Sequence, residues 1–211
     1  MQVVVPFADE SPKSRLAPVL EREERRRLAR AMIADVCSTL RAVGRDPTIL
    51  ATEPLSASTL NALDDPEVNV IVDDQALSPA VNAVLESVDH TVAIVMADLA
   101  LATPAALETL FETPGDVVVA PGRGGGTNAL VVRHPEFRTD YHGASILDHR
   151  EQAREIGTTL ETVDSFRLAT DIDEPADLVE GWLHGGGHTR AALEAFGFDL
   201  EMTEGRVRLV R

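Results

Sequence analysis

Three stretches of this chain hold residues whose types and spacing can do chemistry. In 95–101, VMADLAL, an apolar run ends on Asp98. Ligands of open α/β sheets sit just beyond the carboxyl ends of the strands, so a carboxylate there is placed to hold a metal ion. The plain alternative is an aspartate that caps the next turn. In 169–178, ATDIDEPADL, Asp171 and Asp173 bracket Ile172. In an extended segment residues two apart face the same way, so both carboxylates project together while Ile172 turns inward. Like charges that close repel unless a cation lies between them, and hard oxygen donors suit Mg²⁺ or Mn²⁺. The alternative here is an acidic cluster at a helix N-terminus, favoured by the macrodipole.

Positive and polar partners lie elsewhere. Lys13 and Arg15 fall in DESPKSRLAP, 9–18, the loop after the first apolar run, and can hold a triphosphate. The glycine turn 122–126, which includes Gly125, exposes backbone N–H groups that can cradle an anion. Thr127 and Asn128 follow it with a hydroxyl and an amide, and Ser145 offers a hydroxyl near the start of a helix, where ordinary capping is the alternative. Two further patterns carry less. GRGGGT does not fit the G-x-x-x-x-G-K-[ST] phosphate loop, and it precedes a strand, where a dinucleotide fingerprint would follow one. HGGGH, 184–188, lacks the G-x-S-x-G elbow that a hydrolase would need, and reads as a turn between helices.

Alternating elements must position these residues. Short, β-branched runs at 3–5, 48–51, 68–72, 91–97 and 117–120 read as strands buried on both faces of a mostly parallel sheet. Between them, 21–43 repeats apolar residues at Leu28, Met32, Val36 and Leu40, an amphipathic helix of about five to six turns. Shorter helices are expected at 79–87 and 103–112, the latter with Thr103 as N-cap and Pro104 at its first position. The run 128–133 follows the glycine turn too closely for a helical crossover and should pair antiparallel. Helices at 143–157, 174–185 and 188–197 and strands at 158–164 and 206–210 complete an α/β layered fold with right-handed crossovers.

Composition narrows the classes. At 211 residues one domain, 1–211, is expected. The single cysteine, Cys37, excludes an internal disulfide and a cysteine-built zinc site. The N-terminus lacks the features of a signal peptide and no stretch approaches a membrane span, which points to a cytoplasmic protein with no membrane partner. Acidic residues number 35 against 19 basic ones, a net charge of −16, so nucleic acid is not expected as a partner. Lys13 is the only lysine in the sequence; every other basic residue is arginine. Such a surface fits molar salt, where a Debye length of about 3 Å screens self-repulsion. GC-rich coding is the alternative source of the bias.

The order of motifs then becomes informative. KSRL after strand one, MADL at a central strand end, GGGTNAL, YHGAS with DH after it, and DIDEPADL together resemble the 2-phospho-L-lactate guanylyltransferases, the CofC-type enzymes of coenzyme F-420 biosynthesis. The similarity runs over essentially the whole chain. It implies a single-domain, Rossmann-like, three-layer α/β/α nucleotidyltransferase fold of the glycosyltransferase-A-like kind. It also implies transfer of GMP from GTP to the phosphate of a small phosphorylated three-carbon acid, with Mg²⁺ or Mn²⁺ as cofactor and a homodimer as a plausible state. By position, Asp98, Asp171 and Asp173 would bind metal, and Lys13 and Arg15 would grip the triphosphate beside Gly125. Thr127, Asn128, Gly143 and Ser145 would meet the acid. Glu53 and Asn82 are candidates for contacts to the base or ribose. His142 stands where a glycine is expected, and PFADE, 6–10, lacks the lysine many relatives carry there. Another nucleotidyltransferase, of the molybdenum-cofactor or sugar-phosphate type, is the nearest rival; DESPKSRLAP lacks its glycine-rich loop. A glycosyltransferase or a non-catalytic GTP-binding domain is more remote.

Overall fold

The computed structural model describes residues 1–10, 12–203 and 205–211. Its main sheet has seven strands: β1 (Gln2–Phe7), β2 (Pro47–Ala51), β3 (Asn69–Val72), β4 (Val92–Val95), β5 (Val117–Pro121), β6 (Thr127–Val132) and β7 (Leu160–Thr162), in the order β3-β2-β1-β4-β6-β5-β7. Only β6 runs antiparallel, to both β4 and β5, as its closeness to the glycine turn requires. Alternation along the strands feeds two cores. Val3, Val5, Ala93, Val95, Val118, Ala120, Ala129 and Val131 face one, Val4, Ile94, Val117, Val119 and Leu130 the other. The β-branched runs at 3–5, 92–95 and 117–119 are thus buried on both sides. β3 differs: it is the sheet edge, and Val70 and Val72 are exposed. Its apolar run alone does not reveal that.

Helices cover both faces. α1 (Arg22–Ala42) starts at a capping box between Glu21 and Glu24 and buries Leu28, Met32, Ile33, Val36, Cys37 and Leu40 on the first core. α3 (Leu77–Ser87) packs on the second, after a short α2 (Ala57–Leu63) absent from the sequence reading. The Ser56 side chain caps α2 by accepting the Thr59 N–H. α4 (Pro104–Glu112) has the expected Thr103 cap and leading proline. α5 (Ser145–Glu155) follows β6, and a one-turn α6 (Phe166–Ala169) follows β7. The expected helix over 174–185 divides into a 3-10 turn (Pro175–Asp177) and α7 (Leu178–His184). After α8 (Gly187–Ala195), the expected last strand pairs in a separate antiparallel hairpin, β8 (Asp199–Thr203) with β9 (Arg206–Val210).

Two details fix the frame around the site. HGGGH is a structural joint: the Asp35 carboxylate of α1 accepts the backbone N–H groups of His188 and Thr189, capping α8 from another helix. A Cβ on Gly186 would lie 2.3 Å from Asp35 Cγ, so glycine is required by contact there. The loop after β1 is held by Asp9, whose buried carboxylate accepts from Arg30, Ser56 and Thr59. Burial raises that acid, yet the two hydroxyl hydrogen bonds and the Arg30 charge outweigh it and lower its pKa.

Candidate active site

At the carboxyl end of β4 the chain turns, and Asp98 points into a pocket of about 210 Å³ lined by Pro6, Phe7, Lys13, Met96 and Asp173 among others. Lys13 reaches in from the loop after β1, in left-handed backbone conformation at φ 56°. Its ammonium donates to Asp98 Oδ2 at 2.5 Å and to Asp173 Oδ1 at 3.4 Å. Arg15 donates to Asp173 Oδ2 at 2.6 Å from the open side. Only 11 % of the Lys13 side chain is exposed. Burial lowers its pKa, but Asp98, Asp173 and Asp171 prevail and hold the ammonium charged above its ordinary value.

The Asp-x-Asp segment is docked by Ile172, fully buried, whose N–H donates to the Asp98 carbonyl at 3.3 Å. Both flanking carboxylates stay half-buried, on the side of Lys13. The helix-capping work is done next door: Glu174 and Asp177 form the capping box of the following turn, which leaves Asp171 and Asp173 free of it. Burial and the neighbouring Asp98 charge raise the Asp171 pKa, against the Asn128 hydrogen bond and Lys13. Asn128 itself donates to the Leu168 carbonyl at 3.0 Å and to Asp171 Oδ1 at 3.2 Å, tying β6 to this segment. A Cβ on Gly122 would lie 2.5 Å from Asn128 Oδ1, which explains the first glycine of the turn.

The donor set suits a divalent cation in kind. Asp98 Oδ1 is buried without a hydrogen-bond partner, and Asp171 is pushed toward its protonated form by burial and by the like charge of Asp98, which a cation would relieve. Among the described residues no group of three acidic, histidine or cysteine side chains is gathered closely enough to hold a metal, and the positive charge between Asp98 and Asp173 is that of Lys13. Arg123, which the sequence reading did not single out, lines a neighbouring pocket with Arg15, Asp171 and Asp173.

The remaining candidates divide. Thr127 and Ser145 are brought together, with Ser145 Oγ donating to Thr127 Oγ1 at 3.3 Å, both buried where the glycine turn meets α5. Gly125 lies in positive φ at this junction, and its carbonyl accepts the Ile146 N–H. Three of the turn's N–H groups are already used: Gly122 and Gly125 donate within the turn, to the Gly126 and Gly122 carbonyls, and Arg123 donates to that of Ala169 on α6. Gly143 precedes α5 at φ 48°. Asn82 is not drawn toward the carboxylates; its amide donates to the Thr139 carbonyl and accepts the Thr139 N–H and hydroxyl. Glu53 is exposed just past β2. His142, exposed, pairs with Asp140, whose hydrogen bond raises the imidazole pKa. His149, quoted from the sequence only as part of the DH after YHGAS and given no role there, bonds Thr127 from one turn along α5. Its spacing, four residues after Ser145, was the available signal.

The mixed, mostly parallel sheet with helices on both faces is a fold shared with solved transferase structures. A protein described as a nucleotide-diphospho-sugar transferase from Desulfovibrio desulfuricans G20 superposes with a TM-score of 0.71, covering 92 % of this chain and 95 % of that one at 17 % identity. A nucleotidyl transferase from Methanothermobacter gives 0.60, at 16 % identity, over 85 % of this chain and 94 % of its own. The model of the family described as "Guanylyl transferase CofC like" matches residues 1–211, and the chain belongs to that family. The 2-phospho-L-lactate guanylyltransferase of Natrialba magadii is 57 % identical, covering 100 % of this chain and 99 % of its own length. That of Halomicrobium mukohataei is 56 % identical with 100 % of both chains covered.

Proposed function

We propose that residues 1–211 form one catalytic domain that transfers GMP from GTP to the phosphate of 2-phospho-L-lactate, releasing pyrophosphate and giving lactyl-2-diphospho-5′-guanosine. The reaction fits a cytoplasmic step of coenzyme F-420 biosynthesis. The observation that carries this reading is the cluster of Lys13, Asp98, Asp171 and Asp173 at the strand ends, within a chain of the guanylyl transferase family. The nucleophile is an acceptor phosphate oxygen. Its second pKa near 6 leaves it largely ionised at neutral pH, so no general base is required. A new bond forms from that oxygen to the α-phosphorus as the bond to the β-phosphate oxygen breaks. Lys13 and Arg15 turn from the carboxylates to the triphosphate and hold it in line. Asp98, Asp171 and Asp173 would hold Mg²⁺ or Mn²⁺, which neutralises charge on the transferring and leaving phosphates. Thr127 and Ser145, with the segment at Gly143, meet the acid.

The base enters the pocket of about 200 Å³ that shares Pro6, Phe7 and Ala8 with the carboxylate cleft. Asp73 lines it beside Leu50, Leu77 and Ala80, and its carboxylate, which accepts from the Gln75 N–H and side-chain amide, matches the N–H edge of guanine once Gln75 turns aside. Asp73→Asn should then lose most discrimination between GTP and ATP; an unchanged ratio would remove the base from this pocket. The reaction is tested by phosphorus NMR of GTP, Mg²⁺ and one acid at a time: 2-phospholactate, phosphoenolpyruvate or 3-phosphoglycerate. A new diphosphate-bridged guanylate is expected with 2-phospholactate. Its formation with another acid alone would reassign the acceptor, and no product with any would refute the reading.

A further inference from the structure

His149 is fully buried on α5, with its ring centroid 5.8 Å from that of Phe137 and 5.4 Å from that of Tyr141. Both ring nitrogens are engaged. Nε2 lies 3.0 Å from the backbone nitrogen of Asp140, an N–H that can only donate, so Nε2 is the unprotonated acceptor. The one proton of the neutral ring therefore sits on Nδ1, 2.9 Å from Thr127 Oγ1. Burial keeps the ring neutral, lowering its pKa to about 4 against the opposing charges of Asp148 and Asp140. Thr127 Oγ1 accepts from His149 and, at 3.3 Å, from Ser145. Its own hydrogen is taken by no acceptor among the described residues. We propose that His149 is a positioning residue that makes Thr127 an obligate hydrogen-bond donor, tuned to an anionic oxygen of the phosphorylated acid. The role in acid binding rests on the proposed reaction, whereas the tautomer rests on the geometry alone. A hydroxyl fixed in this way favours an anion over a neutral polar group, because it can give a hydrogen bond and has no lone pair left to receive one.

The first test needs no variant. Long-range proton–nitrogen correlation of the imidazoles should show His149 protonated at Nδ1 only, unchanged from pH 5.5 to pH 8. Protonation at Nε2, or a titration near the ordinary value, would overturn the inference whether or not the reaction is right. The second is a double-mutant cycle of His149→Phe and Thr127→Val, read as KM for the acid and for GTP. His149→Phe alone should raise the acid KM about tenfold or more, as expected for losing a hydrogen bond to a charged group, with the GTP KM within twofold. In the Thr127→Val background it should add little, and His149→Asn, which keeps a donor near the Nδ1 position, should recover part of the loss. Additive effects, or equal rises in both KM values, would reduce His149 to a packing residue. A wild-type protein that turns over no acid, with the Nδ1 tautomer intact, would instead refute the reaction.

Discussion

Lys13, the only lysine in the sequence, lies between two carboxylates with a third close enough to stabilise its charge. Removing it leaves the half-buried Asp98 and Asp173 carboxylates facing each other; breaking a fully buried pair costs about 3–5 kcal/mol, which bounds the loss from above. Lys13→Ala should therefore melt well below wild type without divalent ions, and added Mg²⁺ should restore part of the difference. A melting temperature insensitive to both would mean the carboxylates are already compensated. Asp171→Asn should fold normally and Asp98→Asn with some loss of stability, since it leaves Lys13 without its nearest charged partner. Each should lose activity by roughly 100-fold or more, because each removes charge where the proposed mechanism neutralises the transferring phosphate; turnover within tenfold of wild type would exclude that role. His149 has a pH signature. Its folded pKa, about 4, lies below the ordinary 6.5, so between these values the unfolded chain binds the proton and the folded one does not. Stability should fall as pH drops through that window, by about 1.4 kcal/mol per unit at most. His149→Phe should remove this slope, and an equally steep loss in the variant would assign it to other groups.

At the scale of elements, the site is made where strand ends and the segments after them converge. Asp98 follows β4, Lys13 the end of β1, and the Asp-x-Asp segment is pinned by Ile172 against the β4 turn. Much of this was legible: a carboxylate closing an apolar run, and two carboxylates two residues apart about an apolar one, are local patterns with a physical meaning. Distant pairings were not. Asn82 looks as available as any amide until Thr139, 57 residues on, satisfies it, and HGGGH looks flexible until Asp35 is packed against Gly186. Short elements escaped for another reason, since the four residues of α6 or seven of α2 hold too few periods to register. Gly186→Ala tests the α8 joint: its Cβ would meet Asp35, at a cost of about 1–3 kcal/mol. Thermal melting should show that loss with activity per folded molecule unchanged; an unshifted melt would mean that the joint yields freely.

Over the whole molecule, two apolar cores either side of a mixed sheet hold the cleft open at its carboxyl edge, under a surface of net charge −16. No helix among the described residues is long and apolar enough to cross a membrane. The repulsion in so acidic a surface is long-ranged at low salt, so the melting temperature should climb from 0.1 M toward molar KCl; a flat dependence would mean the charges are locally compensated. Pyrophosphate release from GTP and Mg²⁺ in molar KCl, with wild type and Asp171→Asn compared for each acid, is the decisive measurement. Release that depends on 2-phospholactate and vanishes in the variant is the predicted result. GTP binding without release for any acid, or release that Asp171→Asn leaves intact, would contradict it.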